Sequence, residues 1–450
     1  MKKLYIKTYG CQMNVYDSTR MEDVLAPLGY AAADSPEGAD LVILNTCHIR
    51  EKAAEKMYSD LGRVRLEKIA QARAGKRMLI AVAGCVAQAE GEEIIQRAPY
   101  VDMVVGPQSY HTLPELIEQT ERTRKSVVEL EFVEQAKFDR LPEAFHTQGA
   151  SAFVSIQEGC DKFCTFCVVP YTRGAEFSRP VEAILHEVHT HVAQGAVEIT
   201  LLGQNVNAYH GIGLDGAEHN LAQLIRQVAT IEGIVRIRYT TSHPRDMDDD
   251  LIRAHGEIET LMPFLHLPIQ SGSDRILKAM NRRHDATAYI SIIDKLRAAR
   301  PDIAFSTDFI VGFPGETEAD FEDTLKLAET VGFASAYMFK YSPRPGTPAA
   351  AKTEQVEAAV MDERLVRLQA VIAQSQLRFN KSMLGTVQPV LLERPGRKPG
   401  QAIGRTPYMQ SVVLENAVHR LGQLVDVHIA EAYELSLKGE VTASLSGKAA

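Results

Sequence analysis

The sequence predicts an α/β protein of several domains, with an N-terminal doubly wound parallel sheet, a central partial (β/α)6 barrel and a small C-terminal β-barrel. Three patterns predict this fold class. Apolar runs alternate with polar helical stretches at the start, a strand–helix unit recurs through the middle, and short alternating runs with turns close the chain. The predicted limits are residues 1–118 for the first domain, 119–146 for a linker, 147–378 for the barrel and 379–446 for the last domain.

The N-terminal domain is predicted from four short apolar runs that indicate parallel strands. They cover residues 4–9, 41–45, 78–83 and 103–105, and helices are expected at residues 17–28 and 49–73. In a doubly wound sheet, ligands bind at the carboxyl ends of the strands. Cys11, Cys47 and Cys85 each follow one of the first three strands, so we expect them to converge at that edge.

The central domain is predicted from six strand–helix units, and the charged, irregular stretch before it indicates a linker or covering loop. Strands are expected at residues 153–157, 198–202, 236–240, 264–268, 303–311 and 335–341. Helices are expected at residues 181–194, 220–231, 248–255, 274–280, 286–299 and 318–331. Thr317 and Asp320 form a capping-box pattern at the start of the last helix. Six units predict an incomplete barrel, open enough on one side to accept a large substrate.

The C-terminal domain is predicted from a change of pattern after a helix at residues 361–379. Alternating runs at residues 387–392, 411–414, 424–430 and 436–441 indicate strands. Residues 394–398, and Gly404 with Arg405, are expected to interrupt these strands. The arrangement is typical of small β-barrels that bind oligonucleotides.

Composition limits the class of protein. The formal net charge is −9, which is evidence against a chain whose whole surface binds nucleic acid, although a local basic face is compatible with it. Lys2 and Lys3 are not followed by the apolar core of a signal peptide, and no apolar stretch reaches the roughly 18 residues of a membrane span. Six cysteines among 450 residues are too few for a disulfide framework. We therefore expect a cytoplasmic protein with reduced thiols and no membrane partner.

Three of the six cysteines are crowded into one loop, Gly159-Cys-Asp-Lys-Phe-Cys-Thr-Phe-Cys167. This clustered triad, Cys160, Cys164 and Cys167, has a spacing with which one loop can bind three irons of a 4Fe–4S cluster, and the fourth iron is then open to a small molecule. The alternative is a structural zinc loop, which normally needs four protein ligands. Asp161 or a histidine would have to supply the fourth.

The other three cysteines, Cys11, Cys47 and Cys85, form a dispersed triad. Three ordinary buried cysteines are the alternative interpretation. The shared position after a strand favours a common metal site, and three protein ligands would again leave one iron of a cluster open to another group.

The loop of the clustered triad resembles that of the radical S-adenosylmethionine (SAM) superfamily, in which it follows the first strand of the barrel. The resemblance implies that SAM binds the open iron and that its reductive cleavage yields a 5′-deoxyadenosyl radical. The residues expected to bind SAM lie in turns after the second, fourth and fifth barrel strands. They are Gln204, Asn205, Gln270, Ser273, Gly312, Gly315 and Glu316.

Over nearly the whole chain, the motifs resemble the methylthiotransferase family. Besides the clustered triad, they are Thr8-Tyr-Gly-Cys-Gln-Met-Asn14, Asn45-Thr-Cys47, Ala83-Gly-Cys85 and Phe309-Ile-Val-Gly-Phe-Pro-Gly-Glu-Thr317. The C-terminal domain resembles the TRAM RNA-binding domain of that family. Val168-Val-Pro-Tyr-Thr-Arg-Gly174 and Leu202-Gly-Gln-Asn-Val-Asn-Ala-Tyr209 are most similar to members that modify isopentenyl-adenosine in tRNA.

This resemblance implies a tRNA-modifying transferase with two 4Fe–4S clusters and SAM as cofactors. One SAM methylates sulfur at the dispersed triad, and a second is cleaved at the clustered triad. The radical activates C2 of N6-isopentenyladenosine beside the anticodon, and the methylthio group is joined to that carbon. The expected partners are the tRNA anticodon stem-loop, an external electron donor and a sulfur donor, and a monomer is favoured. No side chain is assigned as a catalytic acid or base.

Two basic clusters are candidates for RNA contact, with a solvated face as the alternative for each. The first comprises Arg394, Arg397, Lys398 and Arg405. The second comprises Arg63, Arg65, Lys68, Arg73, Lys76 and Arg77.

Three histidines are tempting as ligands, and two others stand near the predicted pocket. His186, His189 and His191 lie on a predicted amphipathic helix and are expected to be surface residues. For His243 and His266, two interpretations stay open: they face the pocket, or they serve as structural hydrogen-bonding groups.

Two other functions stay open at this point. A related methylthiotransferase would act on a ribosomal-protein aspartate or on threonylcarbamoyladenosine in tRNA. A non-catalytic RNA-binding protein would keep its metals for structure alone. An electron carrier is disfavoured because it would need neither the central partial barrel nor the small C-terminal β-barrel.

Overall fold

The computed structural model of the chain describes residues 1–48, 51–132, 137–138, 140–142 and 149–442, without the side chains of residues 51 and 52. The chain divides into two compact units. The N-terminal unit comprises Met1–His146, Glu158–Asp161 and Val168–Phe177. The C-terminal unit comprises Thr147–Gln157, Lys162–Cys167 and Ser178–Ala450. The domain limits proposed from the sequence stay a prediction, and the limit at 146/147 lies outside the described residues.

An all-parallel sheet of six strands forms the centre of the N-terminal unit, in the order β2-β1-β3-β4-β5-β6. The strands are β1 (Lys2–Tyr9), β2 (Tyr30–Ala32), β3 (Leu41–Thr46), β4 (Leu79–Ala83), β5 (Met103–Val105) and β6 (Val127–Glu129). The helices that connect them are Gln12–Leu25, Glu51–Arg73, Cys85–Glu90, Glu92–Arg97 and Leu113–Thr123.

Helices cover both faces of this sheet. Successive residues of a strand point to opposite faces. Ile43 therefore packs in the same apolar cluster as Met21 of helix Gln12–Leu25, whereas its neighbour Val42 packs in the cluster of helix Glu51–Arg73. Burial on both faces explains why the strands are continuous apolar runs, and it confirms the doubly wound prediction.

Two edge strands of this sheet, β2 and β6, were not predicted. Each has three residues, which is too short for a periodic signal. β6 and the end of helix Leu113–Thr123 lie in the stretch interpreted as a linker, and residues 133–136, 139 and 143–146 of that stretch lie outside the described residues. The first helix begins at Gln12 rather than at residue 17. Residues 49–50, the predicted start of the second helix, are also outside the described residues.

Six parallel strands of the C-terminal unit form the partial barrel. The strands in this part of the chain are β7 (Ser151–Ser155), β8 (Gln157–Glu158), β9 (Phe177–Ser178), β10 (Glu198–Leu202), β11 (His210–Ile212), β12 (Glu218–Asn220), β13 (Arg236–Tyr239), β14 (Phe264–His266), β15 (Ala304–Val311) and β16 (Ser335–Lys340). The six strands of the partial barrel are those of two sheets, β13-β10-β7 and β14-β15-β16. A parallel bridge between Ile237 of β13 and Leu261 joins the two sheets. The incomplete barrel is therefore confirmed.

Side-chain caps determine where most of the barrel helices begin. These helices are Val181–Ala193, Leu221–Val228, Asp249–Glu257, Asp274–Ala279, Ala286–Ala299 and Glu318–Val331. An oxygen of the preceding side chain accepts a bond from the backbone N–H three residues later at Asn220, Asp248, Ser273, Asp285 and Thr317. Each such cap stabilises its helix by about 1 kcal/mol. Thr317 and Asp320 form the predicted capping box.

The last domain is a closed β-barrel in the order β17-β18-β19-β21-β20, in which β20 also pairs with β17. Helix Ala358–Lys381 precedes it, and its strands are β17 (Val387–Pro395), β18 (Ala402–Arg405), β19 (Ser411–Leu414), β20 (Leu424–Ala432) and β21 (Leu437–Val441). The prediction that Gly404 and Arg405 interrupt the strands is wrong. Gly404 belongs to β18, where a Cβ atom would lie 2.4 Å from the carbonyl oxygen of Leu391, so only glycine permits this approach of the two strands.

Two buried arginines of β13 hold this barrel against the partial barrel. Arg236 donates to the carbonyl of Pro389 at 2.6 Å, and Arg238 donates to that of Pro407 at 2.8 Å. Arg238 also donates to Glu198 at 2.9 Å, so the carboxylate balances the buried charge. Because guanidinium groups offer several donors in fixed directions, the two residues fix the orientation of the C-terminal barrel.

Among the residues that the structure describes, no helix combines the length and the apolar character that crossing a bilayer requires.

Candidate functional site

The dispersed triad lies at the carboxyl ends of three adjacent strands. Cys11 follows β1, Cys47 follows β3, and Cys85 begins the helix after β4. Gly10 has φ +110°, and a Cβ atom there would lie 2.2 Å from Cβ of Cys47. Glycine at this turn therefore lets the two cysteine-bearing loops approach each other.

The three thiols of the dispersed triad influence one another. A hydrogen bond with Cys47 lowers the pKa of Cys11 to about 6. Burial raises the pKa of Cys85, and the guanidinium of Arg173, which hydrogen-bonds to this thiol, opposes the rise. Within the described residues, no group of three His, Cys, Asp or Glu side chains is placed as one metal ion would require.

A buried network of four charged groups adjoins Cys85 in the N-terminal unit. Arg173 contacts Asp17 at 2.5 Å and Glu158 at 3.4 Å. Lys137 contacts Glu158 at 2.6 Å and lies 3.8 Å from Asp17. All four side chains are at most 2% exposed, so two cations and two carboxylates compensate each other away from water. Sequence reasoning missed this network, although Arg173 lies in one of the family-like motifs.

Cys160 of the clustered triad belongs to the N-terminal unit, where its backbone N–H donates to the carbonyl of Gly174 at 3.2 Å. The preceding residue, Gly159, has φ +74°, and a Cβ atom there would lie only 1.8 Å from the carbonyl oxygen of Ala175. The loop therefore needs glycine at this position, both for its conformation and for its space.

We expect Gly159→Ala to displace Cys160 and to lower the iron content of reconstituted protein. The physical reason is the clash with Ala175, which only a backbone shift can relieve. Iron analysis after anaerobic reconstitution checks the prediction, with Gly149→Ala as the control because a Cβ atom at Gly149 meets nothing within 4 Å. Wild-type iron content in Gly159→Ala would contradict it.

Cys164 and Cys167 belong to the C-terminal unit, where one short turn holds them. The N–H of Cys167 donates to the carbonyl of Cys164 at 2.9 Å. Thr165, between them, hydrogen-bonds to the carbonyls of Met280 and Ala279. Nη1 of Arg282 lies 3.6 Å from the sulfur of Cys164, so a cation accompanies this thiol.

The first predicted SAM-binding turn, which follows β10, is held by the side chain of Gln157 in β8. Oε1 of Gln157 accepts the backbone N–H groups of Gln204 at 2.9 Å and Asn205 at 3.0 Å. The amide of Asn205 donates to Asp246 at 2.8 Å, and Asp246 also pairs with Lys162 of the clustered-triad loop at 2.8 Å. These bonds connect the turn after β10 to the loop of Cys164.

The second predicted SAM-binding turn contains Gln270, whose backbone hydrogen-bonds to β15. Its N–H donates to the carbonyl of Asp308, and its carbonyl accepts from Ile310, both at 2.9 Å. Its φ is +80°. Ser273, by contrast, caps a helix and donates to Asp320 at 2.6 Å, so its hydroxyl already has a structural role.

In the third predicted SAM-binding turn, Gly312, Gly315 and Glu316 form hydrogen bonds with other groups of the protein. Oε2 of Glu316 accepts from the N–H of Gly312 at 2.7 Å and from Arg364 at 2.8 Å. Burial raises the pKa of Glu316, while these two donors oppose the rise. The N–H of Gly315 donates to the carbonyl of Glu354. These residues shape the turn, and their contact with SAM stays a prediction.

The chain is similar to known proteins over nearly its whole length. Residues 3–106 match the Uncharacterized protein family UPF0004, residues 154–328 the Radical SAM superfamily and residues 381–442 the TRAM domain. The chain is 60% identical over 447 residues to the tRNA-2-methylthio-N(6)-dimethylallyladenosine synthase of Maricaulis maris, covering 98% of each chain. It is 59% identical over 442 residues to the synthase of the same name from Rickettsia canadensis, covering 98% of this chain and 99% of that one. The chain belongs to this synthase family.

Solved structures share the fold at low identity. The radical SAM methyltransferase TsrM of Kitasatospora setae gives a TM-score of 0.55 at 11% identity, covering 78% of this chain and 74% of that one. The cobalamin-dependent radical SAM enzyme OxsB gives 0.51 at 13% identity, covering 83% of this chain and 56% of that one. Members of the synthase family are radical SAM enzymes, which use SAM and a 4Fe–4S cluster. This membership argues against the structural-zinc and non-catalytic alternatives.

One histidine of the predicted surface helix is buried. His186 and His189 are exposed, as predicted, but His191 is only 5% exposed, and its Nε2 lies 3.8 Å from Glu187, which pairs with Arg179. The surface prediction for His191 is therefore wrong. The burial of His191 beside Glu187 cannot be recognised from the period of the helix alone.

The other two histidines have different surroundings. His243 accepts from the N–H of Arg245 through Nδ1, and burial lowers its pKa. His266 lies on β14 and contacts Ser306 of β15 at 2.6 Å.

Each of the two basic clusters has some charges that acidic side chains compensate. Arg394, near the end of β17, and Arg397 and Lys398, in the turn that follows it, are exposed, while Arg405 pairs with Glu393 at 3.1 Å. In the second cluster, Lys68 pairs with Asp102 at 2.5 Å. Arg63 of that cluster also has an acidic partner, Asp60 at 2.9 Å.

Proposed function

We propose that this protein is a methylthiotransferase that places a methylthio group on C2 of N6-isopentenyladenosine beside the anticodon of tRNA. The product is 2-methylthio-N6-isopentenyladenosine. The observation that carries the proposal is the 60% identity to a synthase of that printed name over 98% of both chains. The same identity favours this substrate over a ribosomal-protein aspartate or threonylcarbamoyladenosine.

We further propose that each triad binds one 4Fe–4S cluster through three thiolates. The donor sets fit, because Cys11, Cys47 and Cys85 converge at one sheet edge and the other three share one loop. When bound, the clusters would supply an electron for SAM cleavage at the clustered triad and a site for transferable sulfur at the dispersed triad.

The chain supplies the positions and charges around these thiols. The charge of Arg173 lowers the pKa of Cys85, and Arg282 lies beside Cys164, so each triad has a cation that would offset the repulsion among deprotonated thiolates. Gly10 and Gly159 leave the space that the cysteine loops need. Gln204, Asn205 and Gln270 are proposed to hold SAM, because the first two adjoin the clustered-triad loop through Asp246 and the third adjoins β15.

The C-terminal barrel is proposed to bind the anticodon stem-loop through Arg394, Arg397 and Lys398. Arg236 and Arg238 would then hold the bound RNA in a fixed direction relative to the partial barrel. The reaction consumes an electron and a sulfur atom, so an external electron donor and a sulfur donor are proposed partners. A cytoplasmic monomer stays the expectation from the sequence.

Deleting the gene and analysing tRNA nucleosides by mass spectrometry tests the proposal. We expect the deletion strain to lose 2-methylthio-N6-isopentenyladenosine and to accumulate N6-isopentenyladenosine. The wild-type gene should restore the product and Cys164→Ala should not, because Cys164 is a proposed iron ligand. An unchanged level of the product in the deletion strain would overturn the substrate assignment.

A further inference from the structure

Three neighbouring strands of the partial barrel present side chains to its interior. On β15, Phe305 and Phe309 pack with the outer helices in the main apolar cluster. Because successive side chains of a strand point to opposite faces, Ser306 and Asp308 face the interior. In the strand register, Ser306 lies opposite His266 of β14, and Asp308 lies opposite Tyr337 of β16.

These interior side chains form one cluster that is open to a ligand. Nδ1 of His266 lies 2.6 Å from Oγ of Ser306, and its Nε2 lies 3.6 Å from Asp308. The rings of His266 and Tyr337 meet edge to face, with centroids 6.0 Å apart. Tyr337 is 54% exposed and the Asp308 side chain 27%, so an aromatic face and a carboxylate are available.

A chain of contacts connects this cluster to the loop of Cys164 and Cys167. The backbone of Gln270 hydrogen-bonds to both Asp308 and Ile310. Ile310 packs in the same apolar cluster as Phe166, which lies between Cys164 and Cys167 in the chain. Two residues along a strand span about 6.6 Å, so Asp308 lies one such repeat from Ile310. A group held at Asp308 would therefore lie near the loop of Cys164 and Cys167.

We propose that Tyr337, Asp308 and His266 form the subsite for the purine base of the nucleotide that is modified. The inference rests on the proposed function and names the residues that would receive its substrate. Tyr337 stacks on the base, as aromatic side chains do with unstacked nucleotides. Asp308, an acceptor only, binds the single N–H that N6-alkylated adenine keeps on its exocyclic nitrogen. Ser306 holds the imidazole of His266 against the edge of Tyr337.

The test compares two anticodon stem-loops, one with N6-isopentenyladenosine and one with an abasic residue at that position. We expect Tyr337→Leu to weaken binding of the first about tenfold, because stacking on one base contributes roughly that much. Binding of the abasic stem-loop should not change, because the phosphate contacts are intact. Tyr337→Phe keeps the ring and should bind both like the wild type.

Turnover gives a second measurement in the same reconstituted protein. Tyr337→Leu is expected to form less methylthio product for each 5′-deoxyadenosine released, since SAM cleavage does not need this ring. Val366→Ala, at a 64% exposed position on helix Ala358–Lys381, is the matched control. If wild-type protein cleaves SAM but never methylthiolates the isopentenyl stem-loop, the proposed function fails, whatever the variants do.

The subsite itself is overturned by either of two results. One is unchanged affinity of Tyr337→Leu for the isopentenyl stem-loop, and the other is an equal loss for both stem-loops. Should Tyr337→Leu not retain wild-type iron, Asp308→Asn decides in its place. It preserves volume and should weaken only the base-containing stem-loop, by about fivefold, and an unchanged affinity would overturn the subsite.

Discussion

Cys47→Ala is expected to abolish the methylthio product while 5′-deoxyadenosine is still released from SAM. Cys47 belongs to the dispersed triad, at the sheet edge of the N-terminal unit, so the change removes one proposed iron ligand there and none from the clustered triad. The iron content should fall from about eight to about four per chain. Anaerobic assays with isopentenyl tRNA, followed by chromatography of the nucleosides, measure both products.

The matched variant is Cys164→Ala, which alters the other triad. We expect it to lose both 5′-deoxyadenosine and methylthio product, because cleavage of SAM precedes transfer. If Cys47→Ala lost SAM cleavage while the cluster of the other triad was retained, the proposed division of labour between the triads would be wrong.

Arg173→Met is expected to lower the free energy of unfolding by about 3–5 kcal/mol, the usual cost of removing one partner from a buried ion pair. Arg173 and Asp17 are 2% and 0% exposed and lie 2.5 Å apart. Without the guanidinium, the cation left near the Asp17 carboxylate among the described residues would be Lys137, at 3.8 Å. Urea unfolding of metal-free protein, followed by circular dichroism, measures the loss.

The control is the double variant Asp17→Asn/Arg173→Met, which removes both charges of the pair. It should regain most of the lost stability, because no uncompensated carboxylate stays buried. Equal instability of the single and double variants would mean that Arg173 contributes by packing rather than by charge.

Much of the fold was predictable because local patterns and tertiary structure agree. The barrel strand Glu198–Leu202 was predicted with the bounds that the structure has, since an apolar run bounded by turns has few other places in an α/β domain. The capping box at Thr317 is likewise a local hydrogen-bond pattern. In contrast, β6 was missed because three residues of an edge strand depend on the neighbouring strand and carry too short a period of their own.

For the dispersed triad, the position of each cysteine after a strand predicted that the three lie at one sheet edge, and the parallel topology explains why they do. Parallel strands end at one edge, so Cys11 and Cys47 meet although 35 residues separate them. Spacing could not predict that Arg173 would reach Cys85 and Asp17, because these contacts join separate segments of the N-terminal unit. Nor could it predict the burial of His191.

The sequence by itself determined the order of the longer strands and helices, the presence of two sets of three cysteines and the family to which the chain belongs. These follow from patterns of neighbouring residues and from motifs read along the chain. Only the tertiary structure decided which charges compensate one another and which polar side chains line the barrel, as Tyr337 and Asp308 do. The physical reason is that burial and Coulomb interactions depend on distances in space, which residues far apart in the chain acquire only when it folds.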